Sequence, residues 1–93
     1  MTRLVTPKHS FAYAQAMIQT YFADKGDGLP EHTHTFSHAT MCQVGSCVVR
    51  LKGKEIVLTS DSQPIDLPAY FPHEIEALED GTVFVNVFAE GKY

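Results

Sequence analysis

"LPEHTHTFSHATM", residues 29–41, carries three of the chain's five histidines, at His32, His34 and His38. On a β-strand, side chains at i and i+2 leave the same face with Cα atoms about 6.5–7 Å apart. His32 and His34 can therefore lean onto one ion at imidazole–metal distances of about 2.0–2.1 Å. His38 shares their parity, but a straight strand would hold it about 13 Å from His34. It joins them only if the chain bends within "TFSH". The competing geometry is a helix with His34 and His38 one turn apart, as in HExxH metal sites. Thr33, Thr35, Phe36, Ser37 and Thr40 are poor helix formers and good strand formers, and no acid stands where such a site needs its base. The stretch reads as strand.

The flanking sequence agrees. Short runs of β-branched and aromatic residues alternate with turn residues: "DKGDGLP" before the histidines, "KGK" leading into "EIVLT", and "SDSQ" before "PIDLP". "SFAYAQAMIQTYFA" is compatible with a helix through its Ala and Gln, but fits better as a pair of strands. Cys42 and Cys47 flank "QVGS", which reads as a tight hairpin setting them opposite each other. Asp80-Gly81, between "HEIEALE" and "TVFVNVF", is a further hairpin signal, since both residues accept φ > 0. Eight or more short, evenly spaced strands without a convincing helix predict an all-β sandwich or barrel.

Composition bounds the function. Ninety-three residues predict a single domain, 1–93, small enough that a metal or a second subunit would help it. Apolar residues at 44% and charged residues at 19% describe a globular chain. A net charge of −4 without a Lys/Arg cluster argues against nucleic acid as a partner. Apolar runs of four or five residues argue against a membrane span. "MTRLVTPKHSFAYAQ" lacks the apolar segment of a secretory signal, so a cytoplasmic location is expected. Two cysteines are too few for a disulfide framework, and both read as buried thiols.

Beyond the histidines, the spacing resembles the first motif of the cupins, the small jelly-roll β-barrel family. That motif runs Gly, five residues, His-x-His, three or four residues, Glu, six residues, Gly. Here Gly26, His32, His34, His38 and Gly45 fall at these intervals, with His38 in the glutamate's place. The second motif runs Gly, five residues, Pro-x-Gly, two residues, His, three residues, Asn. "SQPIDLPAYFPHEIEA" matches it at Pro68 and His73, with Ser62, Tyr70 and Ala77 replacing the two glycines and the asparagine. The resemblance covers about residues 26–88, with motif 1 at 26–45 and motif 2 at about 62–77.

What the resemblance implies is a cupin double-stranded β-helix holding a metal through His32, His34, His38 and His73. The ion would be a divalent transition metal: Fe, Ni, Zn, Mn or Cu. Because Tyr70 stands where glycine adopts φ > 0, the turn before His73 is expected to differ from the family's. Glu31 and Glu74 neighbour ligands but point away by alternation. Phe36 shares the ligands' parity and is a candidate pocket residue. Tyr70 and Phe71 are a turn and a barrel-mouth side chain, Met17 and Met41 core fillers, and His9 a solvated histidine. On the strand "TVFVNVFAE" either Val83, Val85 and Val87 or Phe84, Asn86 and Phe88 face inward. The implied activity is a dioxygenase-like oxidoreductase on a small organic molecule. The alternatives are a non-catalytic small-molecule binding or sensing domain and a metal-dependent isomerase or lyase. A homodimer is expected, since association covers unpaired sheet edges.

Overall fold

A computed structural model describes residues 2–89 and shows ten strands facing each other in two five-stranded sheets. In chain order they are β1 (Arg3–Leu4), β2 (His9–Tyr13), β3 (Ala16–Ala23), β4 (Asp27–His32), β5 (His38–Val44), β6 (Ser46–Leu51), β7 (Lys54–Thr59), β8 (Ile65–Leu67), β9 (His73–Ala77) and β10 (Thr82–Ala89). One sheet runs β1-β4-β9-β6-β7 and the other β2-β3-β10-β5-β8. Every neighbouring pair is antiparallel except β1 with β4. This is the all-β jelly roll that the resemblance implied.

Turn chemistry decides which strands pair. Ala14 and Gln15 close the β2–β3 hairpin with φ of 50° and 69°, and Lys52 and Gly53 close β6–β7 with 55° and 75°. Both are two-residue turns of the left-handed kind that match strand twist. The two other expected hairpins do not form. Cys42 lies on β5 and Cys47 on β6, which belong to opposite sheets. Gly45 alone links those strands at φ 76°, and a Cβ there would come within 2.6 Å of Thr82 Oγ1. The chain therefore turns a corner at Gly45 instead of doubling back. Asp80-Gly81 makes the same kind of crossing, carrying β9 of one sheet into β10 of the other. A tight turn specifies a change of direction; the partner strand is chosen by which faces must be buried.

The core lies between the sheets. Tyr21 and Phe84 stack with centroids 4.8 Å apart, and Leu29, Val49, Leu58, Leu67 and Ile75 close around them. Phe84, Asn86 and Phe88 are the inward set on β10, which settles the parity of that strand. Cys42 and Cys47 are buried free thiols at the end of the core remote from the histidines. Burial pushes the Cys47 thiol up to about 12 and raises that of Cys42 as well. Met17 and Met41 are only half-buried rather than core fillers: Met17 stands where the inner face opens, and Met41 is on the outer face beside Val85. His9 is exposed as expected, with its ring edge against Phe22.

Candidate metal centre

The expectation that the first two histidines share one strand needs correcting. β4 ends at His32, His34 lies in the following bend, and His38 opens β5. The bend expected within "TFSH" is there, and two devices set it up. Leu29 pairs with Ile75 but His32 with His73, so β4 carries one extra residue between them. Such a bulge re-aims the side chains that follow it. Pro30, which has no N–H to offer the ladder, sits within it. The extra residue turns His32 inward although it is an odd number of positions from inward-facing Leu29. Upstream, Gly28 permits close approach of β9, since a Cβ there would lie 2.0 Å from the Ile75 carbonyl oxygen.

The second device is the turn before His73. Tyr70 adopts φ 69°, so the left-handed turn is kept without glycine, contrary to the expectation from sequence. Its backbone N–H donates to the His34 carbonyl at 2.7 Å, and the Ala69 N–H donates to Ser37 Oγ at 3.0 Å. The Tyr70 side chain is 72% exposed, so the residue contributes through its backbone. These two bonds tie the second motif to the bend of the first. Glu74 points away from the centre as expected. The Thr2 hydroxyl and the Arg50 guanidinium both donate to its carboxylate and hold its pKa low.

Three of the four imidazoles gather closely, and His38 adjoins them. Ring centroids lie 4.5 Å apart for His32–His34, 4.6 Å for His32–His73, and 5.2 Å for both His34–His38 and His38–His73. Ligand atoms of His32, His34 and His73 fall within 4.8 Å of one another, forming a three-histidine cluster suited to a metal ion. His38 closes on this cluster from β5, its Nε2 3.3 Å from His73 Nε2. His32 Nε2 and His34 Nε2 are 2.8 Å apart. Two nitrogens bound cis to one ion at about 2.1 Å would be separated by about 3.0–3.4 Å, so both gaps have the right scale.

The Nδ1 hydrogens of His32, His38 and His73 are engaged elsewhere. His32 Nδ1 lies 2.6 Å from the Pro30 carbonyl oxygen and His73 Nδ1 3.0 Å from that of Phe71. A carbonyl only accepts, so both Nδ1 atoms carry the hydrogen and each Nε2 presents a lone pair. His38 is fixed by a relay. Thr40 Oγ1 donates to Asn86 Oδ1 at 2.7 Å, which uses its only hydrogen, so at 3.2 Å it accepts from His38 Nδ1. The lone pairs of His38 and His73 thus face each other across 3.3 Å. Protonation does not relieve the clash at neutral pH. Burial, then the neighbouring histidines, lower the His34 and His38 pKa values to about 4, and burial lowers that of His73. A cation held between the rings would turn this repulsion into coordination, and second partners on Nδ1 are how ligand histidines are usually oriented. The donor set fits a divalent transition metal.

A cavity of about 330 Å³ opens onto His32, His34 and His38, while His73 closes the cluster from behind. Phe36 lines it, as expected, between the rings of His34 and Phe88 at 4.9 and 5.3 Å. Sequence reading missed its other wall: Gln19 and Tyr21 from β3, Thr40 behind His38, and Asn86 from β10. Two signals pointed there. Asn86 interrupts an apolar run, and Thr40 shares the parity of His38.

The jelly roll with histidines from both motifs at one mouth is the cupin fold. Solved structures with this architecture include KdgF from Halomonas sp., at TM-score 0.78 and 20% identity over 87% of this chain and 74% of that one. A cupin superfamily protein from Desulfitobacterium hafniense superposes at TM-score 0.70 and 13% identity, over 91% of this chain and 81% of that one. A structure described as DMSP lyases matches at TM-score 0.71 and 16% identity, over 86% of this chain but 41% of its own length. No family model and no curated protein sequence matches the chain. Among the described residues no helix is long and apolar enough to cross a membrane.

Proposed function

We propose that the chain is a metal-dependent cupin acting on a small organic molecule, with His32, His34, His38 and His73 all serving as ligands to one ion of Fe, Ni, Zn, Mn or Cu. The observation that carries this reading is the clustering of His32, His34 and His73 ligand atoms within 4.8 Å of one another, with His38 Nε2 3.3 Å from His73 Nε2. When bound, such an ion supplies Lewis acidity and open coordination positions. With His38 in place of a carboxylate, the complex is one unit more positive than the usual cupin centre. The chain's own contribution is enclosure and orientation: Leu29, Phe36 and Phe88 exclude water, and Gln19, Tyr21 and Asn86 offer polar contacts.

The finer reading is a dioxygenase-type oxidoreductase. Among the described residues of the cavity wall, Glu31 at the exposed rim is the only carboxylate and there is no lysine or arginine. With no buried carboxylate, lysine or arginine among the described residues of the wall, this reading would leave activation to the ion. Anaerobic purification, metal reconstitution and oxygen uptake with diketones, thiols and phenols test this. Oxygen consumption that requires the metal supports the oxidoreductase; tight ligand binding without turnover supports a sensing domain. A metal-dependent lyase or isomerase is the second reading. It is favoured by the buried Tyr21 hydroxyl in the cavity wall, a candidate proton carrier, and by the likeness in fold to DMSP lyases. Product formed under argon would decide for it.

We also propose a homodimer. By strand register, Phe11, Ile18, Phe22, Met41, Val83, Val85 and Val87 share the outer face of the sheet that contains β10. Phe11 is 52% exposed there, and the sheet's edge strand β2 has neither Lys nor Pro to discourage pairing. The opposite outer face carries Arg50, Glu55, Glu74 and Glu76 in one ion-pair network and suits solvent. Light scattering should give twice the chain mass, and Phe11→Glu should halve it.

A further inference from the structure

The floor of the cavity is crossed by a row of polar side chains. Strand register sets Ser10, Gln19, Asn86 and Thr40 side by side on the inner faces of β2, β3, β10 and β5. Asn86 is 4% exposed, and Gln19 and Thr40 are buried too. Buried polar groups are normally all hydrogen-bonded, and most of this row obeys. Gln19 Oε1 accepts from the Tyr21 hydroxyl at 3.0 Å, Gln19 Nε2 donates to Ser10 Oγ at 3.4 Å, and Asn86 Oδ1 accepts from Thr40. Asn86 Nδ2 takes part in none of these bonds. Among the described residues no fully buried side-chain nitrogen or oxygen lacks a partner, so this amide nitrogen is not sealed in the core but opens on the cavity its side chain lines.

The end of the amide that faces the cavity is dictated by the histidines. The relay runs one way, from His38 Nδ1–H to Thr40 Oγ1 and from Thr40 to Asn86 Oδ1. Reversing it would put the His38 hydrogen on Nε2, where a ligand nitrogen must carry a lone pair. An ion on His38 therefore locks Asn86 with its two N–H donors available to a guest. Neutral imidazoles around a dication leave the site net positive, which favours an anion. The Phe36 and Phe88 rings beside it favour a small organic guest.

We propose that Asn86 is the specificity-determining residue of this cavity, its Nδ2 donating to an oxygen of a small carboxylate or 2-oxo acid bound against the histidine centre. The inference rests on the metal-centre reading and adds to it the class of guest. Pyruvate is the probe, titrated calorimetrically into the zinc-loaded protein, with the zinc content of each variant measured in parallel. Asn86→Asp keeps the acceptor for Thr40 but turns a carboxylate oxygen on the guest, and should weaken pyruvate binding about tenfold or more with zinc stoichiometry retained. Asn86→Ser removes the donor without adding charge and should cost about fivefold, so the test survives if the Asp variant fails to fold. In the labelled wild type, the Asn86 side-chain NH₂ resonances should shift on pyruvate addition and stay put with an alkylamine. Pyruvate affinity within about twofold of wild type in zinc-loaded variants, or no pyruvate binding by zinc-loaded wild type, overturns the inference and leaves the metal centre standing. Failure of the wild type to take up any metal overturns both.

Discussion

The two ends of this barrel are built from the same strands and do opposite things. At one end the inward side chains of the two sheets pack into an apolar core: Phe84 stacks under Tyr21, the last residue before the cavity, and Cys42, Cys47, Leu58 and Ala77 belong to the same cluster. At the other end the same strands present His32, His38, His73, Thr40, Asn86 and Gln19, and the sheets part around a cavity. On β10 the change happens within three inward positions, from Phe84 through Asn86 to Phe88. The closed end contributes apolar burial that stabilises the fold. The open end holds polar groups whose hydrogen bonds aim them at a common centre, and it depends on the closed end to hold them there.

Substitutions should separate the two. Phe84→Ala has the largest expected effect, a loss of about 3–5 kcal/mol read from urea unfolding, because it empties the middle of the closed end. Metal stoichiometry of the fraction that remains folded should stay near that of the wild type. His73→Ala should do the reverse: bound metal falls sharply while the β-rich circular dichroism is largely intact. Thr40→Val keeps the shape of the side chain but cuts the relay, and should weaken metal affinity by about 10–100-fold in a chelator competition.

Acid should act on the open end first. Histidines whose pKa is lower in the folded than in the unfolded protein are protonated preferentially by the unfolded chain, so their stability contribution is complete above about pH 6.5 and is lost as pH falls. With His34 and His38 lowered to about 4, the metal-free protein should lose stability progressively between pH 6.5 and 4. Allowing for solvent screening of half-exposed His34, we expect about 1–3 kcal/mol by pH 5 in urea titrations. A flat profile over that range would mean that the imidazoles are more solvated than their convergence implies. The smallest effect concerns Tyr70. Glycine adopts φ 69° without the steric cost an L-residue bears, so Tyr70→Gly should change stability by no more than about 1 kcal/mol and leave metal binding intact.

Much of the open end was legible in the sequence. The intervals between Gly26, His32, His34, His38 and Gly45, together with His73 after Pro68, carried the resemblance that implied the jelly roll, and they included His32, His34 and His73, which cluster, and His38, which adjoins them. What escaped was long-range. Parity counted along β4 takes no account of the extra residue between Leu29 and His32, which shows only once β9 is beside it. The Gly45 corner and the Asp80-Gly81 crossing look locally like hairpins, because turn residues carry no information about which sheet the next strand joins. Asn86 belongs to the site through Thr40, a contact 46 residues away along the chain. Tyr70 was misjudged for a different reason. Its backbone strain is held by the bond to the His34 carbonyl, a tertiary contact that offsets a local preference.

The claim on which the rest depends is that nitrogen atoms from two distant segments surround one cation. An anomalous difference map from crystals of the metal-loaded protein tests it directly. We expect a single strong peak within about 2.0–2.3 Å of the Nε2 atoms of His32, His34, His38 and His73. A peak elsewhere, or the ring of His73 turned away from the others in the loaded protein, would contradict the account.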